Sequence, residues 1–398
     1  MSFSRHHLGI PAVLTLALSG CATPLGDAEG AGAGSSGGDC VQPAGSELAP
    51  ASGVLAGVNL DWGDETLAEY ADQLGRRPAV AVSFAPFPLS ATDVENITAA
   101  KDQVRANGGV LLLTLEPHEG LDAVTEELAD ELATLLDGFN GDGVPVIVRF
   151  AHEMNGSWYP WGQQPEAYRT AFRRVADAIH RSAPGSATMW APNYGGGYPF
   201  NGGAHEAVPG SADHRELDTN GDGEVDGRDD SYAPYYPGDD AVDWVGMTLY
   251  HWGNSYPWGA NVLPEQGKLL EQLTGTYDGA GGDDTAVPDF YAEYGVSRDK
   301  PVAIPETAAL YVPEGGGDGE LEIKQAWWRQ LTDPVIHRDF PQIKMINWFE
   351  WRKHEAEIDG IIDWRSAGNP DISSAYVDDL PAWFHYSAEP GDCPAFAG

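Results

Sequence analysis

The sequence predicts an α/β protein folded as a closed (β/α)8 barrel, a TIM barrel. Eight short runs rich in Val, Ile and Leu alternate with longer amphipathic stretches, and no glycine-rich phosphate loop follows the first run. The runs are Val54-Leu60, Ala79-Phe84, Gly109-Leu115, Val144-Phe150, Ala187-Ala191, Val242-Leu249, Pro301-Ile304 and Ile343-Phe349. Eight parallel strands are the number that closes such a barrel. Among the connecting stretches, Glu65-Leu74, Val94-Asn107, Val124-Leu136, Glu166-Arg181 and Glu322-Leu331 repeat apolar residues every three or four positions, as helices with one buried face do. A doubly wound open sheet is the competing arrangement, and it would want a Gly-rich turn after the first strand.

Two connections are long. A Gly, Pro and Asp-rich excursion lies between Asn193 and Val242, most marked over residues 200–240, and a second runs from Gly275 to Tyr294. Loops of that length inside a compact domain are usually functional or held by a ligand.

At the N-terminus, Arg5, His6 and His7 precede an apolar run from Leu8 to Leu18 that is too short for a permanent membrane span. Residues 1–20 therefore predict an export signal. Leu18-Ser19-Gly20-Cys21 resembles a bacterial lipobox, which implies a lipid on Cys21, a cell-surface or periplasmic location, and membrane attachment only through that anchor. Residues 21–50 hold too little apolar surface to fold and predict a flexible tether ahead of a barrel over residues 51–398. Cys40 and Cys393 are then left either as free thiols or as a pair. Pairing would close most of the chain and restrict the unfolded state by about 4–5 kcal/mol.

The formal charge of -39 excludes nucleic acid as a partner, because a polyanion would be repelled; a neutral substrate and a monomer are expected. No motif for an organic cofactor is present.

Chemistry is carried at the carboxyl ends of barrel strands, which open on the substrate side. Glu153 closes the fourth run and Glu306 the seventh. Glycosidic cleavage needs such a pair: one carboxyl protonates the leaving oxygen and the other attacks the anomeric carbon. A rival glutamate, Glu293 in Ala292-Glu293-Tyr294-Gly295, has no apolar strand before it. A zinc-protease helix is excluded, because Gly156 follows His152-Glu153 where a second histidine would be needed.

The run Arg149-Phe150-Ala151-His152-Glu153-Met154-Asn155-Gly156 with Trp158-Tyr159-Pro160-Trp161 resembles glycoside hydrolase family 26, the family of β-mannanases with some β-glucanases and β-xylanases. The resemblance implies a retaining (β/α)8 enzyme acting on β-linked polysaccharide, β-mannan foremost, with Glu153 as acid/base and Glu306 as nucleophile. It further implies that His152 binds the sugar, that Trp158 and Trp161 line the cleft, and that Tyr250 hydrogen-bonds the nucleophile. By the same resemblance Trp351 stacks beneath the sugar and Arg149 sits behind the acid/base. Two departures stand out: Glu306 is followed by Thr307-Ala308, and the excursion before the sixth strand is unlike compact mannanases.

Inside that excursion, Asp218, Asn220, Asp222, Asp226 and Asp229 stand at positions 1, 3, 5, 9 and 12 of a loop with Gly223 at position 6. With the Glu224 carbonyl at position 7 this pattern predicts structural calcium, and Asp at position 12 resembles the dockerin type. The alternative function is a non-catalytic carbohydrate-binding lipoprotein on the same barrel, which would be expected to have lost one of the two glutamates.

Overall fold

The computed structural model describes residues 44–279 and 286–387. The export signal, Cys21, Cys40, Cys393 and most of the tether lie outside the described residues. Eight parallel strands form the barrel: β1 (Val54–Leu60), β2 (Val80–Pro86), β3 (Val110–Glu116), β4 (Val146–Phe150), β5 (Ser186–Trp190), β6 (Trp244–Gly246), β7 (Val302–Thr307) and β8 (Ile343–Glu350). Each pairs with the next, and β8 returns to β1 in the register Leu55 with Met345 through Leu60 with Glu350, which closes the barrel. A hairpin, β9 (Arg352–Glu355) and β10 (Gly360–Asp363), follows β8, and a short β11 (Phe384–His385) runs parallel beside β1.

Helices cover the five expected stretches, at Leu67–Leu74, Ala91–Asn107, Glu126–Gly141, Pro165–Ser182 and Glu320–Leu331. Their ends are set by local chemistry. Thr66 with Glu69 and Ser90 with Asp93 form reciprocal capping boxes, and Gly75 and Gly108 close the same helices in the left-handed conformation. Among the described residues no helix is long and apolar enough to cross a membrane.

Several boundaries differ from expectation. β4 begins at Val146, after Pro145, which has no N–H to give to a ladder. β6 is only three residues long: β5 ends before Pro192, so the chain beyond Gly246 is held by single contacts such as the Thr248 N–H to the Pro192 carbonyl at 3.2 Å. The tether also ends earlier than predicted. Residues 45–47 form a 3₁₀ turn, the Gly45 N–H reaches the Pro184 carbonyl at 2.8 Å, and Leu48 is buried. Leu48 packs into the barrel's inner cluster, so burial of one apolar side chain recruits a segment that composition alone assigned to the linker.

Two apolar layers result. The inner one fills the barrel with Leu55, Val80, Val82, Val110, Leu112, Ile147, Ala187, Met189, Trp244, Ala303 and Met345. The outer one lies between strands and helices. Towards the carboxyl ends the interior turns polar, with Asn59, Thr114, Arg149 and Asn347 all fully buried. Gly57 marks a close approach there, because a Cβ on it would fall 2.0 Å from Asn347 Oδ1 and 2.9 Å from Val80 Cβ. Gly57→Ala is expected to destabilise the fold by about 1–3 kcal/mol through overpacking, read as a lowered midpoint in urea.

Candidate active site

The site is assembled where the strands end. β4 leads into a kinked loop in which Ala151 and Glu153 adopt positive φ of 47° and 56°. Such angles are uncommon away from glycine, and here hydrogen bonds hold them: the Ala151 N–H donates to the Leu115 carbonyl at 2.8 Å, and the Glu153 N–H to the Ala191 carbonyl at 2.9 Å. The kink sets Glu153 between the ends of β3 and β5. Asn155 locks the same loop, donating to the Asn193 carbonyl at 2.8 Å and accepting the Asn193 N–H at 2.9 Å.

Glu306 reaches the site by a different device. The inward side chain of β7 is Ala303, so strict alternation would turn residue 306 outward. The register of β7 on β8 slips between Ile304 and Thr307, around Pro305, and this irregularity re-aims Glu306 into the barrel. Thr307 then faces outward, where its Oγ1 accepts the Trp327 indole N–H at 2.9 Å.

Arg149, fully buried on β4, binds the two ends together. One guanidinium nitrogen donates to Glu306 Oε1 and the other to Thr248 Oγ1 at 2.8 Å. Thr248 also favours the ionised form of Glu153. The Tyr250 hydroxyl donates to Glu306 Oε2 at 2.9 Å. Both Glu306 oxygens therefore receive donors, one of them cationic.

Glu153 lives in the opposite field. Crowding away from water, then the negative charge of Glu306, push its carboxyl up to about 7, against the opposing pull of Arg149, Thr248 and the Trp158 indole. Trp158 supplies that pull by donating its N–H to Glu153 Oε2 at 3.1 Å. Two carboxyls in one site thus have unlike environments, the arrangement that divides acid from nucleophile.

His152 is buried against Phe84, Tyr159 and Trp161, and burial followed by the charge of Arg149 holds its imidazole well below the usual histidine range, so the ring is neutral near pH 7. Trp158 is 38% exposed and Tyr250 half-buried, both at the opening. Trp351 is half-buried, stacked on Phe349 with planes at 11°, and its indole N–H reaches Asn59 Oδ1 at 3.2 Å.

Two placements differ from the sequence reading. Trp161 has no exposed surface and does not line the cleft: its ring stacks under Tyr159 at 4.4 Å and its N–H donates to the His152 carbonyl at 2.7 Å, so it is the packing beneath the site. Arg149 sits behind Glu306 as much as behind Glu153 and, being fully buried, is not a sugar contact. Glu293 lies in the helical turn Tyr291–Val296 that precedes β7, at the opposite end of the strand from Glu306, within 3.9 Å of Arg298.

Residues missed in the sequence include Thr248 and Glu116. Glu116 ends β3, pairs with His118 at 3.2 Å, and has its carboxyl raised by burial, with His118 opposing. Its position at a strand end was the available signal.

In the proposed calcium loop, Asp218 accepts the N–H groups of Asp222 and Gly223, and Arg228 pairs with Asp222 at 2.7 Å and with Asp226. Buried Asp229 accepts from Asn220 and Asp226 N–H. Glu224 offers its N–H to Asp222 Oδ1 at 3.1 Å. Among the described residues no three His, Cys, Asp or Glu side chains are gathered as a metal cage.

Because Glu306 raises Glu153, Glu306→Gln is expected to lower the titration midpoint of Glu153 below its wild-type value of about 7. Carbon-13 NMR of the labelled carboxyl measures it, and an unmoved midpoint would contradict the coupling.

Residues 107–191, the stretch that runs from the end of the second helix through β5 and includes Glu153, match the family model described as glycosyl hydrolase family 26. Endoglucanase H of Acetivibrio thermocellus is 24% identical over 302 residues, covering 73% of this chain and 26% of that protein. The chain thus spans about a quarter of that relative's length. Among solved structures, a modular endo-beta-1,4-mannanase from Cellulomonas fimi superposes with a TM-score of 0.56 at 17% identity, over 90% of this chain and 80% of that one. The catalytic domain of the Bacillus sp. JAMB-750 GH26 endo-beta-1,4-mannanase gives 0.52 at 17% identity, over 88% and 93%. These likenesses show a shared (β/α)8 fold. The likeness to glycoside hydrolase family 26 is thus carried by residues 107–191, around Glu153.

Proposed function

We propose that this protein is a retaining glycoside hydrolase that cleaves β-linked polysaccharide by double displacement. Glu153 is the acid/base and Glu306 the nucleophile. The observation that carries this reading is the contrast between the two carboxyls: Glu306 receives Arg149 and Tyr250, while Glu153 is raised to about 7 beside it. In the first step the Glu153 proton passes to the glycosidic oxygen as that oxygen leaves, and a Glu306 oxygen bonds to the anomeric carbon. In the second, Glu153, now a carboxylate, takes a proton from water as that water displaces Glu306. The Tyr250 and Arg149 donors fix the orientation of the Glu306 carboxylate.

The substrate proposed first is β-mannan, with β-glucan and xylan as alternatives. The named neighbours act in both directions: two are endo-beta-1,4-mannanases and one relative is an endoglucanase. Exposed Trp158 and half-buried Trp351 offer ring faces on which the apolar face of a pyranose can lie. Structural calcium at residues 218–229 and export as a lipoprotein acylated at Cys21 are separate proposals.

The deciding experiment is hydrolysis of mannan, mixed-linkage β-glucan, β-1,3-glucan and xylan. The anomeric configuration of the first product is followed by NMR, beside Glu153→Ala and Glu306→Ala. Retention is expected, with each variant slower by at least about 10²-fold; inversion, or no cleavage of any glycan, would overturn the reading. Activity is also expected to fall as pH rises through about 7, because Glu153 must carry a proton to serve as acid and loses it there. For the calcium proposal, a chelator is expected to lower the melting temperature, and an unchanged melt would remove it.

A further inference from the structure

The long excursion after β5 returns to Glu153 by a route of its own. Phe200 lies on it, and its ring meets the Trp158 indole edge-on, with centroids 5.1 Å apart and planes at 68°. Trp158 is the residue whose N–H reaches Glu153 at 3.1 Å. An indole as exposed as this one keeps several rotamers open unless neighbours close them. Three do so: its ring lies over Gly156, where a Cβ would fall 2.4 Å from it, and Tyr159 and Phe200 each make an edge contact with it.

Phe200 is itself firmly held. Its φ of 57° is a left-handed conformation, rare for a bulky residue and kept only where the surroundings over-determine it. The determinants come from the loop that carries Trp158. Ser157 Oγ donates to the Phe200 carbonyl, and Gln163 Nε2 donates to the Pro199 carbonyl at 2.6 Å while its Oε1 accepts the Ala207 N–H at 2.9 Å. The His205 N–H donates to the Ser157 carbonyl at 2.8 Å. Gly203 lies so close that a Cβ there would fall 2.0 Å from Ser157 Oγ.

We propose that Phe200 is a positioning residue for the acid/base: it holds the Trp158 indole at the angle from which it hydrogen-bonds Glu153. The excursion thereby becomes part of the catalytic apparatus, an inference that rests on the glycosidase reading above. A hydrogen bond donated to a carboxyl favours its ionised form, so loss of the Trp158 contact must raise Glu153 further. Besides Trp158, the groups that shift Glu153 most are Glu306, Arg149 and Thr248, with Tyr159 and Tyr250 also close to it; all five lie outside the excursion. Phe200 reaches Glu153 through Trp158.

The test compares Phe200→Ala, Phe200→Leu, Phe200→Tyr, Trp158→Phe and the Trp158→Phe/Phe200→Ala double variant. The Glu153 midpoint is followed by carboxyl carbon-13 NMR, assigned against Glu153→Gln, and the pH profile of kcat/KM is measured alongside. Phe200→Ala and Trp158→Phe are each expected to raise the midpoint, by up to roughly one unit, a tenfold change in the protonation constant. The double variant should not exceed Trp158→Phe, Phe200→Tyr should return the wild-type midpoint, and the alkaline limb of kcat/KM should move up with the midpoint. If Phe200→Ala does not fold, Phe200→Leu, which keeps apolar volume without the ring edge, carries the comparison. An unmoved midpoint in the folded Phe200 variant, or additive shifts in the double, overturns the proposal. The titration needs no turnover, so a chain that cleaves no glycan defeats the glycosidase reading while the Phe200 result stays readable.

Discussion

The buried contact between Arg149 and Glu306 is the constraint on which the rest of the site depends. A guanidinium with no exposed surface is costly unless its charge is answered and its terminal N–H groups are used; here Nε alone of the three nitrogens is left without a partner. Glu306 answers the charge and Thr248 takes a further N–H, so the ends of β4, β6 and β7 are tied through one side chain. Removing either partner would leave a lone charge in the barrel, a change worth about 3–5 kcal/mol in comparable buried pairs. The slip in β7 exists in this context: without it, Glu306 would face the outer helices and Arg149 would lose the carboxylate it pairs with.

From that pair follows the asymmetry between the two glutamates. Glu306 collects donors, whereas Glu153, on the loop after β4, feels the negative charge of Glu306. The same Arg149 that fixes Glu306 also restrains the rise in Glu153. Neither carboxyl has an environment that could be understood alone, and a single substitution at either will be felt at the other.

The elements around the mouth buttress these groups from outside. Glu350, at the end of β8, accepts the N–H groups of Ser366 and Ala367 and the Ser366 hydroxyl, which fastens the segment after the β9–β10 hairpin to the barrel. That segment carries Trp364, whose ring packs against Tyr250 at 5.2 Å, behind the hydroxyl that contacts Glu306. On the other side, Ser157 and Gln163 clamp the excursion and bring Phe200 to Trp158. The site is thus held from two flanks by irregular segments whose polar backbone groups are satisfied by side chains of the opposing loop.

The alternation of apolar runs with amphipathic stretches determined the barrel by itself, because strand and helix periodicities are local properties of the chain. Strand ends also determined that Glu153 and Glu306 would meet at one mouth, since every barrel strand ends on that face. What only the tertiary structure decided was orientation and partnership. The β7 slip, the left-handed turns at Ala151 and Glu153, and the burial of Trp161 and Arg149 depend on which segments lie alongside, and no window of sequence contains those neighbours. Leu48 joined the barrel core for the same reason: an isolated apolar residue in a polar stretch declares nothing until a cavity of the right shape is beside it. Periodicity is written along the chain, whereas the field at a carboxyl is set by residues more than a hundred positions away in sequence, as Arg149 is from Glu306.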